Sequence, residues 1–170
     1  MKILISTLSL GLHEFDFNES AAELEIEDTT TFRHDVFTKV WLEKGVDHLY
    51  IRIRAQTVGH FVCDRCLEEF EREIADEVKL YYSNKSFISN FEEQGWEEEV
   101  RPLPPDLKEI DLSKDVRDTI LLAVPMKLLC SESCKGLCPI CGANLNQGVC
   151  DCSRESMDPR WRALKKLLQS

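Results

Sequence analysis

Cysteine placement constrains this chain more than any other feature, because all eight cysteines lie in two short stretches. The first stretch is a Cys-x-x-Cys pair at residues 63–66, and the second covers residues 130–152. The eight are Cys63, Cys66, Cys130, Cys134, Cys138, Cys141, Cys150 and Cys152. Eight close-spaced thiols suffice for two tetrahedral sites of four cysteines each, the usual closed geometry of structural zinc. The sequence therefore predicts two bound Zn²⁺ ions with every cysteine as a ligand.

The segment from Cys138 to Gly142, Cys-Pro-Ile-Cys-Gly, has the form of a zinc knuckle. Pro139 pre-sets a turn, and Gly142 can adopt the positive φ that turns backbone amides toward the sulfurs. A zinc-binding module is therefore predicted over residues 130–152.

Two pairings of the cysteines remain open. A short closing loop favours one site built from the last four cysteines, because closing a short loop costs little entropy. The 63–66 pair would then share an ion with Cys130 and Cys134. In the interleaved alternative, the 63–66 pair joins Cys138 and Cys141.

Other chemistries of cysteine fit the pattern less well. Disulfide frameworks are typical of short secreted chains, whereas this chain has 170 residues and we predict no signal peptide at its start. A redox-active pair is expected to open a helix, but Cys63 follows an apparent strand. An iron–sulfur cluster stays an alternative, since four thiolates do not identify the metal.

The charge balance limits the partners. The net charge of −10 gives the chain no overall attraction for phosphate backbones, so direct binding of nucleic acid requires a local basic patch. An acidic surface suits basic partners such as ribosomal proteins, or it serves solubility alone. No apolar run approaches the length that spans a membrane, and we expect a cytoplasmic protein without a membrane partner.

Residues 1–82 are predicted to form a β-rich body. Apolar and polar side chains alternate with a period of two over residues 36–43 and again over 49–56. A turn near Lys44 and Gly45 separates the two runs, so they predict a β-hairpin.

Two further strands are predicted in the body. One runs from Val58 into Cys63, and the other runs from Ile74 to Tyr82. Cys63 and Cys66 would then lie at the tip of a hairpin, with their sulfurs available to a metal.

Residues 83–106 are predicted to form a mobile acidic loop. The simplest interpretation is a solvated connector. The alternative is an acidic docking segment that attracts a basic partner, with Phe91 and Trp96 as aromatic anchors beside the carboxylates of residues 97–99.

A helix of the body is predicted within residues 107–129. Leu112, Val116, Ile120 and Val124 recur at steps of four residues, which is typical of one helical face, and Pro125 ends the pattern. Asp111 or Ser113 can cap its start.

The segment 153–170 is predicted to be basic and to contain an amphipathic helix, with Asp158 as its cap and Pro159 at its first position. It carries five cations against two carboxylates in an otherwise acidic chain. Packing on the acidic surface of the protein itself is one interpretation, and docking of RNA or a protein partner is the other. The candidate partner-binding residues are Arg160, Trp161, Arg162, Lys165 and Lys166.

Enzymatic motifs are missing from the sequence. The four histidines are scattered, His60 being the nearest to a cysteine pair, and no phosphate-binding glycine loop or nucleophile elbow occurs. We expect a binding protein, and keep a metal-dependent enzyme or thiol oxidoreductase as an alternative.

Several segments resemble one known family in order along the chain. They are Cys63-Asp64-Arg65-Cys66-Leu67-Glu68-Glu69-Phe70, Ile110-Asp111-Leu112 with Val116-Arg117-Asp118 and Ile120-Leu121-Leu122-Ala123-Val124-Pro125, Gly136 to Asn146, and Asp158-Pro159-Arg160-Trp161 with Leu164. This combination is similar to the YceD family, the large-subunit ribosomal RNA accumulation proteins. The resemblance runs from about residue 50 to the end.

The resemblance implies a non-catalytic bacterial factor that supports synthesis, processing or accumulation of large-subunit (23S) ribosomal RNA. Its partners would be that RNA, its assembly intermediates, or a basic ribosomal protein that it escorts. The predicted architecture is α+β, with a β-rich body, a zinc-binding module and a terminal amphipathic helix.

Overall fold

The computed structural model of the chain describes residues 1–83 and 99–152, and residues 84–98 and 153–170 lie outside that description. The chain divides into two compact units. The sheet unit comprises Met1–Phe61 and Glu69–Leu128, and the cysteine unit comprises Val62–Glu68 and Leu129–Ser170. The predicted terminal helix over residues 153–170 falls outside the described residues.

The described residues form seven strands and one α-helix. In chain order these are β1 (Lys2–Leu4), β2 (Gly11–Glu19), β3 (Val36–Lys44), β4 (His48–Val62), β5 (Glu69–Ser83), β6 (Glu99–Pro102), β7 (Glu109–Asp111) and α1 (Ser113–Ala123). Strands β2 to β6 form one sheet in sequential order, and β1 pairs with β7 in a separate two-stranded sheet. The chain is therefore β-rich, with one helix in its described part.

The predicted hairpin is confirmed as the antiparallel pair β3 and β4. Phe37 lies opposite Gln56 and Lys44 opposite Leu49, and the Gly45 amide closes the turn by donating to the His48 carbonyl at 2.9 Å. Burial alternates strictly along the first part of both strands, as expected for a sheet with one covered face.

Strand β4 differs from the prediction because it runs without a break to Val62. The separate strand expected from Val58 is its continuation, and the alternation of burial persists past Gly59. Glycine is required there by close approach, since a Cβ on Gly59 would lie 2.5 Å from the Phe61 ring. The ring takes the space of the missing side chain, so this glycine does not end the strand.

Residues 83–106, predicted to be a loop throughout, contain strand β6, which pairs in parallel with the end of β5. Four residues are too few to show an alternating pattern, and β6 ends at Pro102. Proline is tolerated there because β6 is the edge strand of the sheet. The neighbouring strand β5 confirms the strand predicted from Ile74 to Tyr82 and begins earlier, at Glu69.

Helix α1 confirms the helix predicted from Leu112 to Val124, with bounds one residue inside at each end. Leu112, Val116 and Ile120 are completely buried, so the predicted stripe is the core-facing side. The Asp111 carboxylate accepts the Ser113 amide at 2.9 Å and satisfies a donor at the helix start. No helix among the described residues is long and apolar enough to cross a lipid bilayer.

The core lies against one face of the five-stranded sheet. Buried side chains of β3, β4 and β5, such as Val40, Ile51 and Leu80, form one cluster with Val116 and Ile120 of α1. The opposite face, which we call the outer face, carries the alternate residues of the same strands. The sheet unit thus has a covered side and an outer side. Residues on the outer side are not constrained by packing in the core.

Candidate metal centres

The first sulfur cluster lies in the cysteine unit and contains Cys63, Cys66, Cys130 and Cys134. Each residue offers its Sγ atom, and the four atoms lie within 4.8 Å of one another. The Cys63 amide donates to the Glu68 carbonyl, and the Leu67 amide donates to the Cys63 carbonyl, both at 2.9 Å. These bonds fold the 63–68 segment into a tight turn that directs both of its thiols to one point.

The sulfur separations discriminate between a metal site and disulfides. Sγ of Cys63 lies 3.8 Å from Sγ of Cys134, and Sγ of Cys66 lies 3.6 Å from Sγ of Cys130. A disulfide requires about 2.05 Å. Four sulfurs placed about 2.3 Å from a central Zn²⁺ form a tetrahedron with edges of about 3.8 Å. All eight cysteines are free thiols, and the spacing of this cluster fits a tetrahedral metal ion.

The thiols of the first cluster differ in their pKa values. Burial opposes ionisation of Cys63, but bonds from the backbone amides of residues 130, 66 and 65 prevail and lower its pKa to about 6. Burial and the neighbouring thiols raise the pKa of Cys130 to about 12. Thiols this close cannot all lose their protons unaided, because the resulting thiolates repel one another. A divalent cation removes that conflict, since a coordinating thiol is deprotonated outright.

The second cluster contains Cys138, Cys141, Cys150 and Cys152, again with all four Sγ atoms within 4.8 Å. The structure therefore groups the sulfurs in the first of the two predicted pairings and not in the interleaved one. Each cluster could hold one metal ion.

The predicted knuckle builds the second cluster. Gly142 has a φ of +74°, and its amide donates to the Cys138 carbonyl at 2.9 Å. Bonds from the amides of Cys141 and Ile140 lower the pKa of Cys138 to about 6. The Cys141 thiol and burial raise the pKa of Cys152 to about 12. The second cluster thus shows the same conflict among thiols as the first.

Asn146 is a positioning residue that the sequence did not single out as functional. Its Nδ2 atom donates to Cys134 Sγ at 3.3 Å, and its Oδ1 atom accepts the Lys135 amide at 2.8 Å. The bond to sulfur lowers the pKa of Cys134 and orients a candidate ligand. Its only sequence signal was its place at the end of the 136–146 segment that carries the family resemblance.

A second contact holds the first cluster together through Arg65. Its Nη1 atom donates to the Cys134 carbonyl at 2.8 Å, and its own carbonyl accepts the Leu137 amide at 3.1 Å. Gly136 has a φ of +73°, and a Cβ there would lie 3.0 Å from the Arg65 carbonyl oxygen. Glycine at this position lets the two segments of the cysteine unit approach.

Other residues considered from the sequence do not join the clusters. His60, the histidine nearest to Cys63 in sequence, instead contacts the Glu69 carboxylate at 3.1 Å. The candidate partner-binding residues Arg160, Trp161, Arg162, Lys165 and Lys166 lie outside the described residues, as do Phe91 and Trp96. Their proposed roles stay predictions.

The family described as "Large ribosomal RNA subunit accumulation protein YceD" matches residues 51–168. A chloroplastic protein of Arabidopsis thaliana, named a YCED homolog of that description, is 44% identical over 72 residues, which is 42% of this chain and 22% of the relative. A similarly named chloroplastic protein of Zea mays is 45% identical over 58 residues, 34% of this chain and 20% of the relative.

A bacterial relative gives the longer match. An uncharacterized protein of Mycobacterium bovis is 30% identical over 116 residues, 68% of this chain and 53% of the relative. The aligned segments thus cover between a fifth and about half of these curated relatives. No solved structure matches the chain. The family match covers well over half of the sequence, including all eight cysteines, and the chain therefore belongs to the YceD family of large ribosomal RNA subunit accumulation proteins.

Proposed function

We propose that this protein is a non-catalytic, cytoplasmic factor of ribosome biogenesis that supports the synthesis, processing or accumulation of large-subunit (23S) ribosomal RNA. The observation that carries the proposal is the family match over residues 51–168. Both plant relatives are named as large ribosomal RNA subunit accumulation proteins. A role in RNA accumulation is compatible with a protein that acts by binding.

Zn²⁺ is the ion that we propose for both sulfur clusters. All-sulfur tetrahedral sites suit zinc, and four protein ligands fill its coordination shell. Catalytic zinc instead keeps one position open for water or substrate. Two closed sites therefore support a structural role for the metal and favour a binding protein over a metalloenzyme.

A second candidate is an acidic escort for a basic ribosomal protein, with RNA levels changing indirectly. The net charge of −10 favours it, as does strand β5. That strand exposes four carboxylates at alternate positions, Glu69, Glu71, Glu73 and Glu77, and Ala75 interrupts the row. A row of carboxylates attracts a basic surface and accelerates its association.

Depletion of the protein in its own host tests the leading proposal. We expect 23S ribosomal RNA to fall relative to 16S ribosomal RNA, because the family description concerns the large subunit. Re-expression of the wild-type chain must restore the ratio. An unchanged ratio in depleted cells would contradict the function that we propose.

Crosslinking in cells followed by identification of RNA and protein partners separates the two candidates. Charge reversal at Arg162 and Lys165 is expected to weaken association and its salt dependence if the last segment contacts RNA. Neutralising residues 97–99 should instead slow association if the partner is a basic protein. A salt series measured for both variants distinguishes the two outcomes.

A further inference from the structure

The outer face of strands β3 and β4 has a composition that differs from the rest of this acidic chain. Eight positions of the two strands point to that face, at residues 37, 39, 41 and 43 and at residues 50, 52, 54 and 56. Six of them form what we call the cation–aromatic stripe: Phe37, Lys39, Trp41, Tyr50, Arg52 and Arg54. The other two are Glu43 and Gln56. Three cations against one carboxylate give a local charge of +2, where the whole chain carries −10.

The register places cations beside aromatic rings. Trp41 lies opposite Arg52, and the Arg52 guanidinium stands 4.2 Å from the centre of the Trp41 ring. Lys39 Nζ lies 5.4 Å from the same centre. These cation–π contacts hold the indole in place on an otherwise open sheet face. Phe37, on the same strand, keeps 56% of its surface exposed.

Arg54 is the member of the stripe whose charge is least satisfied. It lies directly opposite Lys39, and two like charges facing each other across a strand pair destabilise a sheet. Lys39 finds a partner in Glu14 at 3.2 Å. Arg54 makes no ion pair or hydrogen bond to any residue in ranges 1–83 and 99–152. An anion bound at this point would relieve the repulsion.

We propose that the cation–aromatic stripe binds a short segment of single-stranded RNA, with phosphates on Arg54 and Arg52 and a base stacked beside Trp41. Aromatic platforms interleaved with cations are the recurring means of holding single-stranded nucleic acid. An arginine plane over an aromatic ring extends the stack that an unpaired base can join. This inference rests on the proposed function, for which it supplies the RNA-contacting surface.

The borders of the stripe favour a single strand over a duplex. On one side, β2 places Glu14 opposite Trp41 and Asp16 opposite Lys39. On the other side, β5 exposes Glu73 and Glu77. These carboxylates repel a second phosphate backbone. The stripe is two strands wide, about 10 Å, and Phe37 and Trp41 are about 13 Å apart along β3, which accommodates two or three nucleotides.

Fluorescence anisotropy of the full-length, metal-loaded protein tests the inference. The probe is a labelled, mixed-sequence single-stranded RNA of about 12 nucleotides, within the range of known single-strand sites. We expect Arg54→Glu to weaken binding about tenfold and to reduce the dependence of log Kd on log salt, because a phosphate contact is lost. Trp41→Ala should weaken binding by a similar factor and leave the salt dependence unchanged.

Matched control variants distinguish an effect of the stripe on RNA binding from an effect of the overall charge. Lys114→Glu makes the same change of charge on α1, which packs against the covered face of the sheet, and should bind RNA like wild type. Trp41→Phe keeps a ring and should retain most of the affinity. Arg54 is exposed, so its replacement preserves the fold, which thermal unfolding monitored by circular dichroism checks.

Two results would overturn the inference. One is RNA binding by Arg54→Glu and Trp41→Ala equal to that of Lys114→Glu. The other is wild-type protein that does not bind the RNA probe but binds a polyglutamate peptide in a manner that depends on Arg54. That result would identify an acidic protein segment as the ligand of the stripe. Either result leaves the proposed function standing if depletion still lowers 23S ribosomal RNA. An unchanged RNA ratio in depleted cells removes the function whatever the stripe binds.

Discussion

The sheet unit and the cysteine unit bury different kinds of side chain. In the sheet unit, more than twenty buried apolar side chains join one cluster between the sheet, the helix and the chain start. In the described part of the cysteine unit, the buried residues are four cysteines, Cys63, Cys66, Cys134 and Cys138, and Gly136. A region without an apolar core must obtain its folding free energy elsewhere, and metal ligation supplies it in small domains. Among the described residues, burial therefore separates a unit with an apolar core from a unit whose buried side chains are thiols of the candidate metal centres.

Metal removal is expected to have the largest effect, and it should fall on the cysteine unit alone. Structural zinc contributes on the order of 10 kcal/mol to folding of small zinc modules, which exceeds anything that the few buried side chains here can replace. After treatment with a chelator under reducing conditions, amides of residues 130–152 should exchange with deuterium within seconds. Amides of β3 and β4 should keep their protection.

Cys141→Ser gives the same test with one ligand, and Ser131→Ala serves as its control. Elemental analysis should show about one metal fewer in the Cys141 variant. Global unfolding of the sheet unit in this variant would show that the two units are not independently stabilised, and metal-free wild-type protein would remove the basis of the comparison.

A core substitution should destabilise the sheet unit and leave metal binding unchanged. Its effect should be smaller than that of metal removal. Ile51 of β4 is completely buried, and Ile51→Ala leaves a cavity that costs about 2–5 kcal/mol of unfolding free energy. Urea denaturation should report the loss. Metal content should stay unchanged, because no thiol moves. Val46, which is 80% exposed, provides Val46→Ala as the control that should be close to neutral.

Asn146→Ala should weaken metal binding without abolishing the cysteine unit. Loss of the amide donor to Cys134 Sγ is expected to lower metal affinity about 10- to 100-fold, the usual cost of removing a group that orients a ligand. Competition with a chromophoric chelator measures the change. Gln147→Ala removes the neighbouring bond to Glu68 at 2.7 Å and should leave affinity unchanged. Equal affinity of the two variants would mean that Asn146 serves the backbone turn only.

The smallest effect concerns pH and the sheet unit. Bonds from Thr31 and Thr30 hold the pKa of Asp28 at about 2, below its ordinary 3.8. A lowered pKa stabilises the fold above about pH 4, and that contribution is lost as the pH falls toward 2. Because Asp28 is exposed, solvent screening limits the contribution to about 0.5–1 kcal/mol.

Asp28→Asn removes this titration while keeping an oxygen acceptor. Its stability should fall short of wild type by that amount at pH 6 and converge with wild type near pH 2, as read from thermal unfolding. A difference that is the same at both pH values would assign the effect to packing and not to charge.

The pattern of apolar and polar residues was sufficient to predict the elements whose structure depends on residues close in sequence. Strict alternation predicted the β3–β4 hairpin, and the four-residue step from Leu112 predicted α1, because a covered face imposes its period on any regular element. The pattern failed at β6, whose backbone bonds come from β5 far away in the sequence. It also ended one strand at residue 56 and began another at Val58, whereas β4 continues through Thr57, whose buried side chain keeps the alternation.

The sequence by itself determined that eight thiols would be available in close pairs, and where they lie along the chain. Loop-closure entropy favoured one pairing only slightly, because it changes slowly with loop length, so the tertiary structure decided which four sulfurs converge. Asn146 and Arg65 acquire their roles in the same way, through contacts with Cys134, which is 12 and 69 residues away along the chain. The cation–aromatic stripe follows the same rule. Trp41, Arg52 and Arg54 become neighbours through strand register, which brings separate strands side by side about 4.8 Å apart.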